Sequence, residues 1–226
     1  MLVLGVDTSG KNGSIALVRL EQGTPRTLEV VPLEGGTFSA QLVPQISELL
    51  QRHRLTKRNI DAFAVVSGPG SFTGLRVGLA AIKALAEILQ KPIAAVSLLE
   101  AVARTSEKKG EVLAALDAGR GELYVAEYSA SEAQTALRIR EQLLTFAEFV
   151  SSDGDREIIT PDAKIAGLAR ENGLRVTQIA YPRADVIARL GLEKIQAGEV
   201  ISVEALDANY IRRSDAEAKK IGEVRK

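Results

Sequence analysis

The chain has 226 residues, 46% of them hydrophobic, enough to bury one sizeable core or two lobes of roughly 100 residues each. Lysine plus arginine and aspartate plus glutamate each total 29, so the net charge is zero, and with 4% aromatic residues independent nucleic-acid binding is disfavoured. Cysteine is absent, which excludes disulfides, thiolate metal sites and cysteine nucleophiles, while the single histidine, His53, excludes any site that needs two.

The opening MLVLGVDTSG has no basic region and its apolar run breaks at Asp7, too soon for a signal or a membrane span. It reads as a first strand over 2–6, with the cytoplasm as default location. Strands over 14–20 and 27–33 follow. A helix over 38–53 carries the apolar stripe Phe38, Leu42, Ile46, Leu49 and Leu50, and its interior Pro44 predicts a kink. His53 falls at that helix's end between Arg52 and Arg54, which suits a solvated C-terminal cation.

A strand over 62–67 runs into SGPGSFTGLRVGLAAIKALA at 67–86, a Gly-Pro-Gly turn leading straight into a long helix over 73–90. Such a junction can hold an anion on its free N–H groups, although no Gly-Lys-Ser/Thr ending places a lysine on a terminal phosphate. It reads equally as a tight turn capped by Ser71 or Thr73. Leu75, Leu79, Ile82, Ala86 and Leu89 form one stripe on that helix, and Gly74, Gly78, Ala81 and Leu85 form a second. Small residues four apart let another backbone approach, so the second stripe is expected to pack on the 38–53 helix or on another molecule. A strand over 93–96 and a helix over 98–105 complete this half.

At Glu111 the pattern starts again: EVLAALDAGRGELYVAEY parallels LVLGVDTSGKNGSIALV, with Asp117 corresponding to Asp7. Helices around 146–150, 162–171 and 185–196 and short strands over 157–160 and 175–179 follow. The tail over 212–226 mixes both charges, as a solvated helix or frayed end does. Sheets alternating with helices and a duplicated strand-Asp-turn-strand unit define an α/β protein of two ribonuclease H-like lobes, 1–105 and 106–226, in the actin, hexokinase and heat-shock ATPase (ASKHA) architecture. That architecture places a magnesium-orienting carboxylate and a phosphate turn at the positions of Asp7, Ser9, Gly10 and Lys11, with Gly68 and Gly70 opposite, so weak ATP or ADP binding is one reading. DTSGKNGS is read equally well as a polar strand-end turn. Gly119 and Gly121 make a poor second phosphate turn, because Arg120 and Glu122 share the hairpin.

SGPGSFTGLRVGLA, then KPIAAVSLLEAVA, together with the opening GVDTS, DAGRGELY and the closing ANYIRRSDAE, resembles the TsaB family of tRNA threonylcarbamoyladenosine biosynthesis proteins over essentially the whole chain. The resemblance implies a non-catalytic subunit that stabilises and activates TsaD, its catalytic paralogue. TsaD carries its metal on a His-x-x-x-His motif whose place is taken here by LLEAV, so the two histidine positions fall on Leu98 and Val102 and only Glu100 remains. The expectation is therefore no metal, no required cofactor, no catalytic residue and no turnover by this chain alone. The resemblance also implies a TsaD heterodimer, or a homodimer when TsaD is absent, joined through the two helices; the residues expected to carry it are Phe38, Leu42, Ile46, Leu49, Gly74, Arg76, Val77, Gly78, Ala81 and Leu85. It implies the ATPase TsaE as a third partner, tRNA bound only through the complex, and no membrane. The alternatives are an actin-like ATPase or phosphotransferase acting alone and, without cysteine, a histidine pair or an obvious activated serine, far less favourably a protease.

Overall fold

Leu2–Asp7 (β1) is buried along its whole length, as a strand covered on both faces must be. It pairs antiparallel with Gly13–Glu21 (β2), which pairs antiparallel with Thr24–Leu33 (β3); on its other side β1 runs parallel to Ala62–Gly68 (β4), and β4 to Ile93–Ser97 (β5). The first sheet is thus ordered β3-β2-β1-β4-β5, with Phe38–Arg52 (α1) and Phe72–Leu89 (α2) as crossovers. This is a computed structural model, and it describes residues 1–105, 110–130, 136–152 and 156–211. The tail over 212–226 lies outside them.

The second sheet repeats the plan. Gly110–Gly119 (β6), Glu122–Ala130 (β7) and Ala136–Thr145 (β8) form an antiparallel meander, and Glu157–Thr160 (β9) and Val176–Gln178 (β10) add parallel strands on the far side of β6. Phe146–Ser152 (α4) and Ala163–Glu171 (α5) take the crossover places. Order β8-β7-β6-β9-β10 matches the first sheet strand for strand, and the repeat read from the two Asp-turn units is a duplicated fold. The meander's third strand, β8, is missing from the sequence reading.

Two helices cross between the halves. Leu98–Thr105 (α3), which follows the first sheet, packs on β6, β7, β8 and β9 as well as on β4 and β5; Ala184–Gln196 (α6), which follows the second sheet, packs on β1, β2, β4 and β5. The expected division at 105/106 therefore misplaces α6, which belongs in space to the first sheet. Small residues bring it there. A Cβ on Gly5 would lie 2.3 Å from the Ala184 carbonyl oxygen, and one on Gly191 would lie 2.2 Å from the Ala64 Cβ, so helix and sheet approach more closely than larger side chains allow. One apolar core consequently runs through both sheets, joining Leu4, Phe63 and Ile82 to Leu116, Tyr128 and Ile159.

Helix α1 continues through Pro44 to Arg52. His53 is not the solvated cation expected from its position: its Nε2 lies 2.8 Å from Glu29 on β3, and Arg52 reaches the same carboxylate at 2.9 Å. Among the described residues no helix is long and apolar enough to cross a membrane.

Candidate functional site: the interlobe cleft and the outer face of two helices

The turn after β1 is clamped onto the start of α2. Ser71 caps that helix by accepting from the Gly74 N–H at 3.3 Å, deciding between the two candidate caps. The Ser71 N–H donates to the Ser9 carbonyl at 2.6 Å, and the Thr8 hydroxyl donates to the Gly74 carbonyl at 2.7 Å. Three glycines make room for this contact: a Cβ on Gly70 would meet the Ser9 carbonyl oxygen at 2.6 Å, on Gly74 the Thr8 carbonyl oxygen at 2.0 Å, and on Gly78 the Thr8 Oγ1 at 2.4 Å. Asp7 is buried, and its Oδ1 accepts from both the N–H and the hydroxyl of Ser9 at 2.8 and 2.6 Å. Burial raises the Asp7 carboxyl above its ordinary range, and the two Ser9 bonds partly offset the rise.

Between the lobes lies a cleft of about 760 Å³, lined by Ser9, Gly10, Lys11, Gly70 and Thr73 on one side and by Asp117, Gly119 and Tyr124 on the other. A second cavity of about 500 Å³ shares Gly10, Lys11, Asn12 and Tyr181 with it and adds Asp7, Asp162 and Arg183. Five of the six residues expected at a nucleotide therefore face these cavities. Gly68 does not: it is buried, and a Cβ there would sit 2.6 Å from the Asn209 carbonyl oxygen. Gly119, discounted because of its hairpin, does line the cleft. Asp162 was missed as a site residue; its Oδ2 accepts from the Asp117 N–H at 2.9 Å, and burial together with the Asp117 charge raises its carboxyl above the usual range despite that bond. Loss of water around the Tyr181 phenol, then the Asp162, Asp7 and Asp117 carboxylates, hold its proton on above the normal tyrosine range. Asp117 could have been paired with its counterpart Asp7 from the repeat alone, whereas Asp162 and Tyr181 carry no local signal.

The expected partner face needs a larger correction. Phe38, Leu42, Ile46 and Leu49 are core residues at 0–7% exposure, and Gly74 and Gly78 are turned onto the Thr8 turn, so none of these six offers surface to another molecule. Arg76 is exposed but occupied, its guanidinium 3.7 Å over the Phe72 ring and its Nε donating to the Tyr210 hydroxyl at 3.2 Å. Val77, Ala81 and Leu85 remain half-buried along α2. Five large hydrophobic side chains are exposed among the described residues, and two of them, Val43 at 55% and Ile88 at 70%, stand on the touching helices α1 and α2. Neither was in the predicted set, because a residue off the main apolar stripe gives no periodic signal.

Leu98 and Val102 on α3 are buried, and neither carries a donor atom, so the metal that the family resemblance implies for its catalytic members does not fit here. Glu100 is held 3.1 Å from the Lys194 ammonium on α6 and serves the helix crossing.

Two lobes of identical strand order, closed by exchanged helices around a cleft, make this an actin-like protein built from ribonuclease H-like halves. The model of the family described as "TsaD: tRNA N6-adenosine threonylcarbamoyltransferase" matches residues 30–212. Proteins named "tRNA threonylcarbamoyladenosine biosynthesis protein TsaB" are 28% identical in Bacillus subtilis (strain 168), over 98% of both chains, and 28% identical in Escherichia coli (strain K12), over 96% of both. YeaZ from Pseudomonas aeruginosa superposes with a TM-score of 0.74 at 24% identity, covering 92% of this chain and all of that one. The chain belongs to the threonylcarbamoyltransferase family and, within it, to the TsaB proteins.

Proposed function

We propose that this chain is a non-catalytic subunit in the biosynthesis of threonylcarbamoyladenosine beside the tRNA anticodon, stabilising and activating a TsaD catalytic subunit in the cytoplasm. It binds TsaD through the outer face of α1 and α2, or a second copy of itself when TsaD is absent, with the ATPase TsaE as third component and tRNA engaged only by the assembly. The observation that carries this reading is the pair of exposed apolar side chains, Val43 and Ile88, on two touching helices whose neighbouring Val77, Ala81 and Leu85 are only half-buried. Leucine and valine at the catalytic family's metal positions support it too.

Light scattering after size exclusion tests the proposal on the chain mixed with TsaD from the same organism. Parent protein and Val200→Arg, altered at an exposed apolar site outside both helices, are expected to form a 1:1 complex, and Ile88→Arg is expected not to. An Ile88→Arg complex as stable as the parent's would sink the reading.

The cleft favours a second reading, a weak ATP or ADP site that serves an ATPase or phosphotransferase acting alone, since Ser9, Gly10, Lys11 and Gly70 share one cavity. Calorimetric titration with magnesium-ATP and magnesium-ADP decides it: heat lost in Lys11→Ala supports a site, and no heat from the parent removes it.

A further inference from the structure

After α6 the chain turns back along the free edge of β5, where the Ile201 N–H donates to the Ile93 carbonyl at 2.9 Å, and then buries Leu206 in the core. It next crosses the junction between β4 and α2. There the Asn209 backbone N–H donates to the Ser67 carbonyl at 2.7 Å, and the Asn209 side-chain amide donates to Glu141 Oε2 at 2.7 Å. The other oxygen of that carboxylate accepts from the Ser97 hydroxyl at 3.0 Å. Ser67 and Ser97 stand at the ends of β4 and β5 in the first sheet, whereas Glu141 lies on β8, an edge strand of the second. Tyr210 then stacks on Phe72 in the first turn of α2, with ring centroids 4.7 Å apart.

We infer that residues 206–211 are a latch that fixes the second lobe on the first, with Asn209 and Glu141 as its catch. Gly68 is shaped for it: φ there is +139°, and the space a Cβ would fill is taken by the Asn209 carbonyl. The lobes are also joined by the apolar core that runs through both sheets, by the packing of α3 on the second sheet, and by the crossing of α3 and α6, pinned by the Arg104–Glu193 and Glu100–Lys194 ion pairs. Glu141 stands on an edge strand of the second sheet, so its bonds to Asn209 and Ser97 tie that edge to the end of β5 and to the strap, and with it hold the opening of the cleft. Because the same strap stacks on the first turn of α2, the lobe angle and the start of that helix are held by one element.

The absence of cysteine makes the test direct. Spin labels on Lys57→Cys in the first lobe and Lys164→Cys in the second, both exposed positions, report the interlobe distance by double electron–electron resonance, in samples diluted with unlabelled protein. Asn209→Asp sets two carboxylates against each other. Adding Glu141→Gln reverses the bond, the new amide donating to the new carboxylate while its carbonyl still accepts from Ser97. The parent is expected to give one narrow distribution, Asn209→Asp a second and longer population, and the double variant the parent's distribution again. An unchanged distribution in Asn209→Asp, or a double variant as broad as the single one, overturns the latch. Should Asn209→Asp fail to fold, the double variant decides against the parent by the same criterion.

Discussion

Alanine in place of Gly78 separates packing against the chain's own turn from packing against a partner. In an open helix the exchange would stabilise by about 1 kcal/mol. Here the new Cβ would lie 2.4 Å from Thr8 Oγ1, and moving that hydroxyl breaks its 2.7 Å bond to the Gly74 carbonyl. Overpacking costs about 1–3 kcal/mol and an unsatisfied buried polar group costs about 1–3 kcal/mol, so the net loss is about 3 kcal/mol once the helix gain is subtracted. For a chain of this length that lowers Tm by about 6–12 °C in differential scanning calorimetry. Thr8→Ala removes the clashing atom, so Gly78→Ala should cost at least ~1 kcal/mol less in that background. Gly74→Ala, which meets the Thr8 backbone carbonyl oxygen at 2.0 Å, should gain no such relief. A Gly78→Ala protein as stable as the parent, or equal relief of both substitutions by Thr8→Ala, would refute the reasoning.

Asp7→Asn keeps an oxygen for the Ser9 N–H and removes the buried charge. Because the folded carboxyl is raised, the folded state binds more protons than the unfolded one above the unfolded value, and stability is lost as pH rises through the folded value. Asp7→Asn should therefore be more stable than the parent at neutral pH and lack that decline, and a thermal denaturation series from acid to neutral pH that shows the same slope in both proteins contradicts it. Val43→Glu and Ile88→Glu change exposed side chains, so each should shift stability by no more than about 0.5 kcal/mol while abolishing association; a large fall in Tm would return both residues to the core. Glu100→Ala leaves Lys194 with Glu199 at 3.5 Å, and this should cost about 0.5–1 kcal/mol in urea titration, while a loss of several times that would show the α3–α6 pairs to be a principal lobe connection.

The first sheet was readable because its elements announce themselves locally. Continuous apolar runs mark β1 and β4, and a 3.6-residue stripe marks α2. Two Asp-turn units 110 residues apart, at Asp7 and Asp117, exposed the duplication. Edge strand β8 escaped, since ALRIREQLLT mixes charge with apolar residues and lies against one neighbour only. Of the residues singled out in the sequence for a possible nucleotide, Asp7, Ser9, Gly10, Lys11 and Gly70 line the two cavities.

By itself the sequence determined the order of strands and helices apart from β8, the repeat, and the absence of thiol and paired-imidazole chemistry, all properties of residue type and short spacing, while the family resemblance added that Leu98 and Val102 stand at the metal positions of the catalytic paralogue. Tertiary structure alone decided which way each small-residue stripe faces. Gly74 and Gly78 meet Thr8 from 66 and 70 residues away, Ala184 closes on Gly5, and Asn209 reaches both Ser67 and Glu141. A glycine reports that something comes close, but its partner is chosen by chain segments folded in from afar, and no window of sequence contains both sides of such a contact.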